Sequence, residues 1–314
     1  MVAMAVSGLV AIAAISMLTM SRKGFATVDA ASQLQDNTRF AVDVIQRLAS
    51  QAGYRDIAAS ALLHPGDDVT LGESEPGISG FNNATPVASD PAHKASSRTS
   101  SSVVGYGSDV LIVRYQAASM LFSPLKADGS MIDCAGNPVD ATPAPGQQVA
   151  SILHVATGPD GEPALMCTVV NAGGPTSPQP LVKGIESFQV LYGVDNVTPH
   201  TAPSATTVKN HFANRYLRAD ELAVSGDEVG TAANWRRVRN VRIGMVMRSA
   251  TTAGRMSDER PLYPLGGLSA SGSGQDGSAF ASDRDIGTVS KRLPDGRLRQ
   301  SITFTAHLRN EQDV

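Results

Sequence analysis

The chain has 314 residues, a formal net charge of −3 and a hydrophobic content of 42%. It is long enough to bury a sizeable core. At 18% charged residues it is too lightly charged for a solvated disordered chain, and it is not basic enough to bind nucleic acid by bulk charge. The composition is uneven along the chain: no charged side chain precedes Arg22 and no proline precedes Pro65.

Met1–Ser21 is apolar except for Ser7, Ser16, Thr19 and Ser21. At 1.5 Å per residue such a helix reaches about 30 Å, the thickness of a bilayer core. Its hydroxyls can bond back to carbonyls one turn earlier. A secretory signal and a buried core helix are the competing readings. No basic segment precedes the run, and the run exceeds a typical signal core, so a membrane-spanning helix is expected. Arg22 and Lys23 after the span would place the rest of the chain in the cytoplasm by the positive-inside tendency, which conflicts with the cysteine reading below.

Past Gly24, apolar or small residues recur at Val28, Ala31, Leu34, Ala41, Ile45, Leu48 and Ala52 in steps near three and four, the mark of one helix face. Phe40, Val44 and Leu48 run beside it. Leu34, Phe40, Ala41, Val44, Ile45 and Leu48 are the residues expected to pack the helix on a sheet. Gly53 supplies a left-handed cap. A break at Gly24 is allowed but not required, since one glycine costs only about 1 kcal/mol. The chain therefore divides into a helix at 1–53 and a second unit at 54–314.

That second unit is β-rich. Strands are predicted at Asp109–Gln116, Ser151–Ala156, Ala164–Val170, Ile185–Val194, Trp235–Ser249 and Arg299–Arg309, from β-branched content and period-two alternation. In Trp235–Ser249, Val241, Ile243, Met245 and Met247 share one face. Segments 63–107 and 251–286, rich in Gly, Ser and Asp, read as long loops. The fold class is α+β, an antiparallel sheet covered on one face by the long helix.

Cys134 and Cys167 are the only cysteines. Two thiols without a paired motif are too few for a metal. A disulfide is expected, implying an oxidising compartment; two buried free thiols are the other reading. No catalytic motif emerges. Gly272–Gly277 matches GxGxxG but lacks a preceding strand and a following helix. Asp276, Asp283 and Asp285 could gather around calcium, but not with EF-hand spacing. The six histidines are scattered. Arg236, Arg237, Arg239, Arg242 and Arg248 read as a solvated basic sheet face, with a nucleic-acid or partner site as the other reading. No catalytic residue, cofactor, metal, nucleic acid or small-molecule substrate is expected.

Several segments together resemble the PilW-type minor pilins of type IV pili, within the pilin and pseudopilin superfamily. They are Met1–Val10, Leu34-Gln-Asp-Asn-Thr-Arg-Phe-Ala41 with Ala52-Gly-Tyr-Arg55, Phe188-Gln-Val-Leu-Tyr-Gly-Val-Asp195, Val241–Ser249 and Asp295-Gly-Arg-Leu-Arg299. The resemblance implies a pilin-like fold, a single inner-membrane pass with the β-rich unit in the periplasm, and incorporation into the pilus. Other minor pilins and the major pilin are the implied partners, in an initiation or tip complex. Ala3, Ala5, Ser7, Gly8, Ala11, Ala13 and Ala14 would let stalk helices approach closely. Such proteins carry a basic leader, a Gly–Phe cleavage site and an early Glu; Met1-Val-Ala matches the stretch just after that Glu, so an upstream segment is expected to precede Met1. A type II secretion pseudopilin, or a membrane-anchored binding protein or enzyme on a β scaffold, is the alternative.

Overall fold

The structure, a computed structural model, describes residues 2–56, 75–140, 147–252, 261–266, 286–290 and 295–310. One unbroken helix, α1, runs from Val2 to Gln51. Gly24 does not interrupt it, and a side chain there would meet nothing within 4 Å. Gly53, at φ 71°, turns the chain out of the helix in the left-handed conformation that glycine adopts most readily. Helix ends leave carbonyls without partners. Here Asn310 Nδ2 donates to the carbonyls of Ser50 (3.3 Å) and Ala52 (3.0 Å). The Gln51 side chain bonds Ile132 twice, at 2.9 and 2.8 Å.

The other described residues build two antiparallel sheets and two small hairpins. The first contains β1 (Ile78–Phe81), β4 (Val110–Tyr115), β7 (Val149–Thr157), β8 (Pro163–Asn171) and β10 (Gln179–Lys183) in that spatial order, with β9 (Gly174–Pro175) folded back on β8. The second contains β12 (Arg215–Leu217), β11 (Ile185–Val194), β13 (Val238–Thr252) and β14 (Arg297–His307) in order. Two small hairpins pair β2 (Ala84–Pro86) with β3 (Ala95–Ser97) and β5 (Ser119–Met120) with β6 (Ser123–Ala127). Short helices α2 (Ala219–Leu222) and α3 (Glu228–Arg236) connect β12 to β13.

Three expectations change here. Segment 63–107 is not all loop, because β1, β2 and β3 lie within it. They are only three or four residues long and mix Ser, Gly and Pro with apolar side chains, so no periodicity betrays them. Trp235 belongs to α3, and the strand starts at Val238. The single predicted sheet is two. The junction is polar and specific. The Asp109 amide donates to Phe188 O (2.7 Å), Ser108 Oγ accepts from the Phe188 amide (3.1 Å), and Asp109 Oδ2 accepts from the Val190 amide (2.9 Å). These bonds tie the start of β4 to β11. Burial pushes the Asp109 carboxyl up to about 6, against the lowering effect of the Val190 and Asn83 amides.

One apolar core joins α1 to both sheets. Leu34, Ala41, Val44, Ile45 and Leu48 meet Phe188, Val190, Val241, Ile243, Met245 and Met247 of the second sheet and Leu111, Val113 and Leu153 of the first. The β13 alternation follows from this, since its odd positions face the helix. β4 lacks alternation because its other face is covered too: Val110 and Ile112 pack with Ala84, Ala92, Ala150 and Ile152, as expected of a strand buried on both sides.

Cys134 and Cys167 form a disulfide with Cα atoms 5.8 Å apart, tying the loop before β7 to β8. It closes a separation of 33 residues, which stabilises the fold by about 3–4 kcal/mol in the chain-entropy model. Reduction should therefore lower the unfolding free energy by about that amount in a denaturant titration. Coincident curves for the oxidised and reduced protein would refute this.

Candidate assembly surface

Helix α1 has two halves with opposite environments. From Val2 to Asp29 no side chain is buried; only from Ala30 onward does the helix contribute to the core. Up to Ser21 this half carries no charge, with Val2, Met4, Val6, Leu9, Val10, Ile12, Ile15, Met17, Leu18 and Met20 all exposed. It is long and apolar enough to cross a membrane. Three of its hydroxyls are satisfied within the helix. Ser7 Oγ donates to Met4 O (3.0 Å), Ser16 Oγ to Ile12 O (2.7 Å) and Thr19 Oγ1 to Ser16 O (2.8 Å). An apolar solvent therefore meets no unpaired hydroxyl at these positions.

The small residues of this half are all exposed. At 3.6 residues per turn, Ala3, Ser7, Ala11 and Ala14 fall on one stripe, while Ala5, Gly8 and Ala13 face other directions. A side chain at Gly8 would meet nothing within 4 Å. In the second half, Leu34, Ala41, Val44, Ile45 and Leu48 are buried against the sheets. Phe40 is not: it is 50% exposed, one step outside the buried arc, and Thr38 occupies the contact instead, its Oγ1 3.2 Å from Met247 Sδ. Val28 and Ala31 are likewise exposed, and Ala30 is the first buried residue. The i, i+4 spacing of Phe40 with Val44 identified a neighbouring row but not which row the sheets cover.

A network of three arginines and three carboxylates ties the β7–β8 turn of the first sheet to strands of the second. Arg297 clamps Glu162 at 2.7 and 3.0 Å. Arg248 bridges Glu162 (2.6 Å) and Glu186 (3.1 Å). Arg299 clamps Glu186 at 2.7 and 2.9 Å and Asp295 at 2.7 and 2.8 Å. Glu162 lies in the β7–β8 turn of the first sheet, whereas Glu186, Arg248, Arg297 and Arg299 belong to strands of the second. The Arg299 hydrogen bonds draw the Asp295 carboxyl down to about 2, and those of Arg297 draw Glu162 below its usual range.

The basic strand is therefore not a solvated face. Arg248 sits in this network, Arg237 donates to the carbonyls of Asp195 (3.2 Å) and Thr207 (3.0 Å), Arg239 approaches Asp195 (3.6 Å), and Arg242 lies over the Tyr216 ring. Their partners come from turns, loops and other strands distant in sequence, which spacing along one strand cannot reveal. His93 lies between Asp90 and Glu75, 2.6 Å from each. Burial lowers its pKa, but the two carboxylates more than offset this and hold it above the ordinary value. Burial, with Arg98 nearby, pulls the His154 imidazole down to about 4. Among the described residues no three His, Cys, Asp or Glu side chains converge as a metal would need. Gly272–Gly277, Asp276, Asp283, Asp285 and His64 lie outside the described residues.

The sequence profile of the type IV pilus-assembly protein W family, PilW, matches residues 152–310, which is 159 of the 314 residues. The chain belongs to the PilW family. The match runs from β7 to the asparagine that caps α1, and so includes the whole second sheet and every member of the charge network. A type IV-like pilin from Thermus thermophilus is similar in structure, at 12% identity and a TM-score of 0.39, over 88% of this chain and 95% of the other. No curated protein matches. A PilW-family chain with an exposed apolar N-terminal helix is a membrane-anchored, pilus-associated protein with a role in type IV pilus assembly, working among other pilus components.

Proposed function

We propose that this protein is a non-enzymatic minor pilin that acts in the initiation or tip complex of a type IV pilus. The carrying observation is helix α1, docked on the sheets through its second half and bare and apolar through its first. Before assembly the bare half lies in the inner membrane, with residues 54–314 in the periplasm, packed on the second half of the helix; the disulfide supports that side of the membrane. During assembly the same surface moves from lipid to the helices of other minor pilins and the major pilin. Lipid and helix surfaces are equally apolar, so close packing over small residues such as Ala3, Ser7, Ala11 and Ala14 drives the exchange.

The test is a deletion strain scored for surface pili, with affinity capture of the full chain from membranes. Loss of pili and co-purification of other minor pilins are expected. Normal piliation without the gene, together with no captured pilin, would overturn the proposal.

A further inference from the structure

His93 sits in the loop between β2 and β3 with a carboxylate on each side of its ring. Nδ1 lies 2.6 Å from Asp90 Oδ1, and Nε2 lies 2.6 Å from Glu75 Oε1. A neutral imidazole has one N–H and one lone pair. It can donate to one of these oxygens, but its other nitrogen then meets the second carboxylate lone pair to lone pair. Two contacts this short require an imidazolium, which donates from both nitrogens. Each acid also faces another cation: Arg114 Nε is 2.6 Å from Glu75 Oε2, and Lys94 Nζ is 3.5 Å from Asp90 Oδ2. That leaves the shared proton on the ring. Burial and the Arg114 charge oppose the imidazolium, but the hydrogen bonds of Asp90 and Glu75 and the charge of Glu75 outweigh them. Among the described residues, the charged groups facing the ring are Asp90 and Lys94 from its own loop, Glu75 from the entry to β1 and Arg114 from β4.

The two contacts differ in reach. Asp90 and His93 share one turn, in which the His93 and Lys94 amides donate to Asp90 O (3.3 and 2.9 Å). Glu75 is 18 residues away in sequence, on the chain entering β1. A contact within one turn costs less entropy to keep than one that closes a longer loop. When the ring loses a proton, the Asp90 contact therefore stays and the Glu75 contact opens. The strand behind that contact is short. β1 has four residues, lies at the edge of the first sheet and covers the edge of β4. An uncovered strand edge is a template for further pairing. The buried Arg114 guanidinium still bonds Ser79 Oγ of β1 and Ala92 O of the loop, each at 2.6 Å. Opening the Glu75 contact thus loosens the entry to β1 without detaching the strand.

We propose that His93 is a proton-operated clasp, which fastens the entry of edge strand β1 to the β2–β3 loop when its ring is protonated and releases it when the ring is neutral. This goes beyond the minor-pilin reading and does not depend on it. The sign follows from linkage. Folding raises the His93 pKa, so the clasp contributes fully below the unfolded value of about 6.5 and is lost as pH rises through the folded one. The edge of the first sheet is therefore held most firmly in mild acid, the opposite sense to a clamp built on carboxylates with lowered pKa values.

The experiment follows amide hydrogen exchange in the full chain in detergent micelles, wild type against His93→Ala, at pH 6 and pH 9. At one pH both proteins share the same intrinsic exchange chemistry, so their ratio reports opening. The most direct reporter is the Arg114 amide, which donates to Gly77 O (2.8 Å) just before β1. At pH 6 it should exchange about two- to fivefold faster in His93→Ala, the range of a half-exposed ion pair. At pH 9 the two proteins should exchange alike, because the wild-type ring is then neutral. Equal rates at pH 6 would overturn the proposal, and so would a difference of the same size at both values, which marks a packing role without a proton. A second measurement needs no variant. The ring nitrogen signals of His93 in the wild type should show both nitrogens protonated at pH 6 and a titration midpoint above about 6.5. A midpoint at or below that value would equally overturn it.

Discussion

Replacing Arg299 with alanine should lower the unfolding free energy by about 3 kcal/mol, the order expected when one partner of a buried ion pair is removed. The Arg299 side chain is 1% exposed and donates four hydrogen bonds of 2.9 Å or less to Glu186 and Asp295. Alanine leaves Asp295 without its clamp and Glu186 with Arg248 only. Both carboxylates keep some contact with water, which holds the loss toward the lower end of the range. Arg299→Lys retains the charge but not the planar fork, and should recover part of the loss.

The same network sets the acid limit of stability. Asp295 and Glu162 have folded pKa values below their unfolded ones. Their contribution is therefore complete above about pH 4–5 and disappears as pH falls toward the folded value of Asp295, about 2. In Arg299→Ala the stability should depend less steeply on pH over that window. Denaturant titrations at pH 7 and pH 3 test both statements. A cost under about 1 kcal/mol at pH 7, or an unchanged pH slope, would count against the network as the clamp between the sheets.

The second large effect concerns the bare half of α1. Ile12→Arg places a guanidinium near the middle of the apolar run, where insertion becomes less favourable by about 3 kcal/mol, more than a hundredfold in the insertion equilibrium. The protein should leave the carbonate-resistant membrane fraction and be absent from sheared pili. The globular part should melt as before, since Ile12 touches none of it. Ala11→Leu separates the two roles of this surface: it preserves hydrophobicity and so membrane retention, but thickens the stripe of Ala3, Ser7 and Ala14 and should reduce incorporation into pili. Retention of Ile12→Arg at wild-type levels in both fractions would refute the assignment.

Much of this architecture can be read along the chain. The predicted strand at Ile185–Val194 has the observed ends, and Val241, Ile243, Met245 and Met247 lie on the helix side as their alternation requires. The longer strands carry enough residues for a period to show. β1, β2, β3, β5 and β12 have two to four residues each, too few for a period; β1, β5 and β12 pair with longer strands, and β2 and β3 with each other. The Phe40 expectation failed for a related reason. Helical spacing defines rows around α1, but which row meets the sheets depends on where those sheets lie.

What the sequence determined by itself is therefore the one-dimensional part. A run of 21 residues without charge must meet an apolar environment, a helical period continues beyond it to Gly53, and alternating apolar residues then make strands. These follow from local chain geometry and the hydrophobic effect. The tertiary structure decided the division into two sheets, the latch from Ser108 and Asp109 to β11, and the convergence of Glu162, Glu186 and Asp295 on three arginines. It also decided that Leu121 and Phe122 stand in water while equally apolar neighbours are buried. Each of these depends on groups far apart in sequence brought within hydrogen-bonding or van der Waals distance, and no local pattern along the chain encodes that distance.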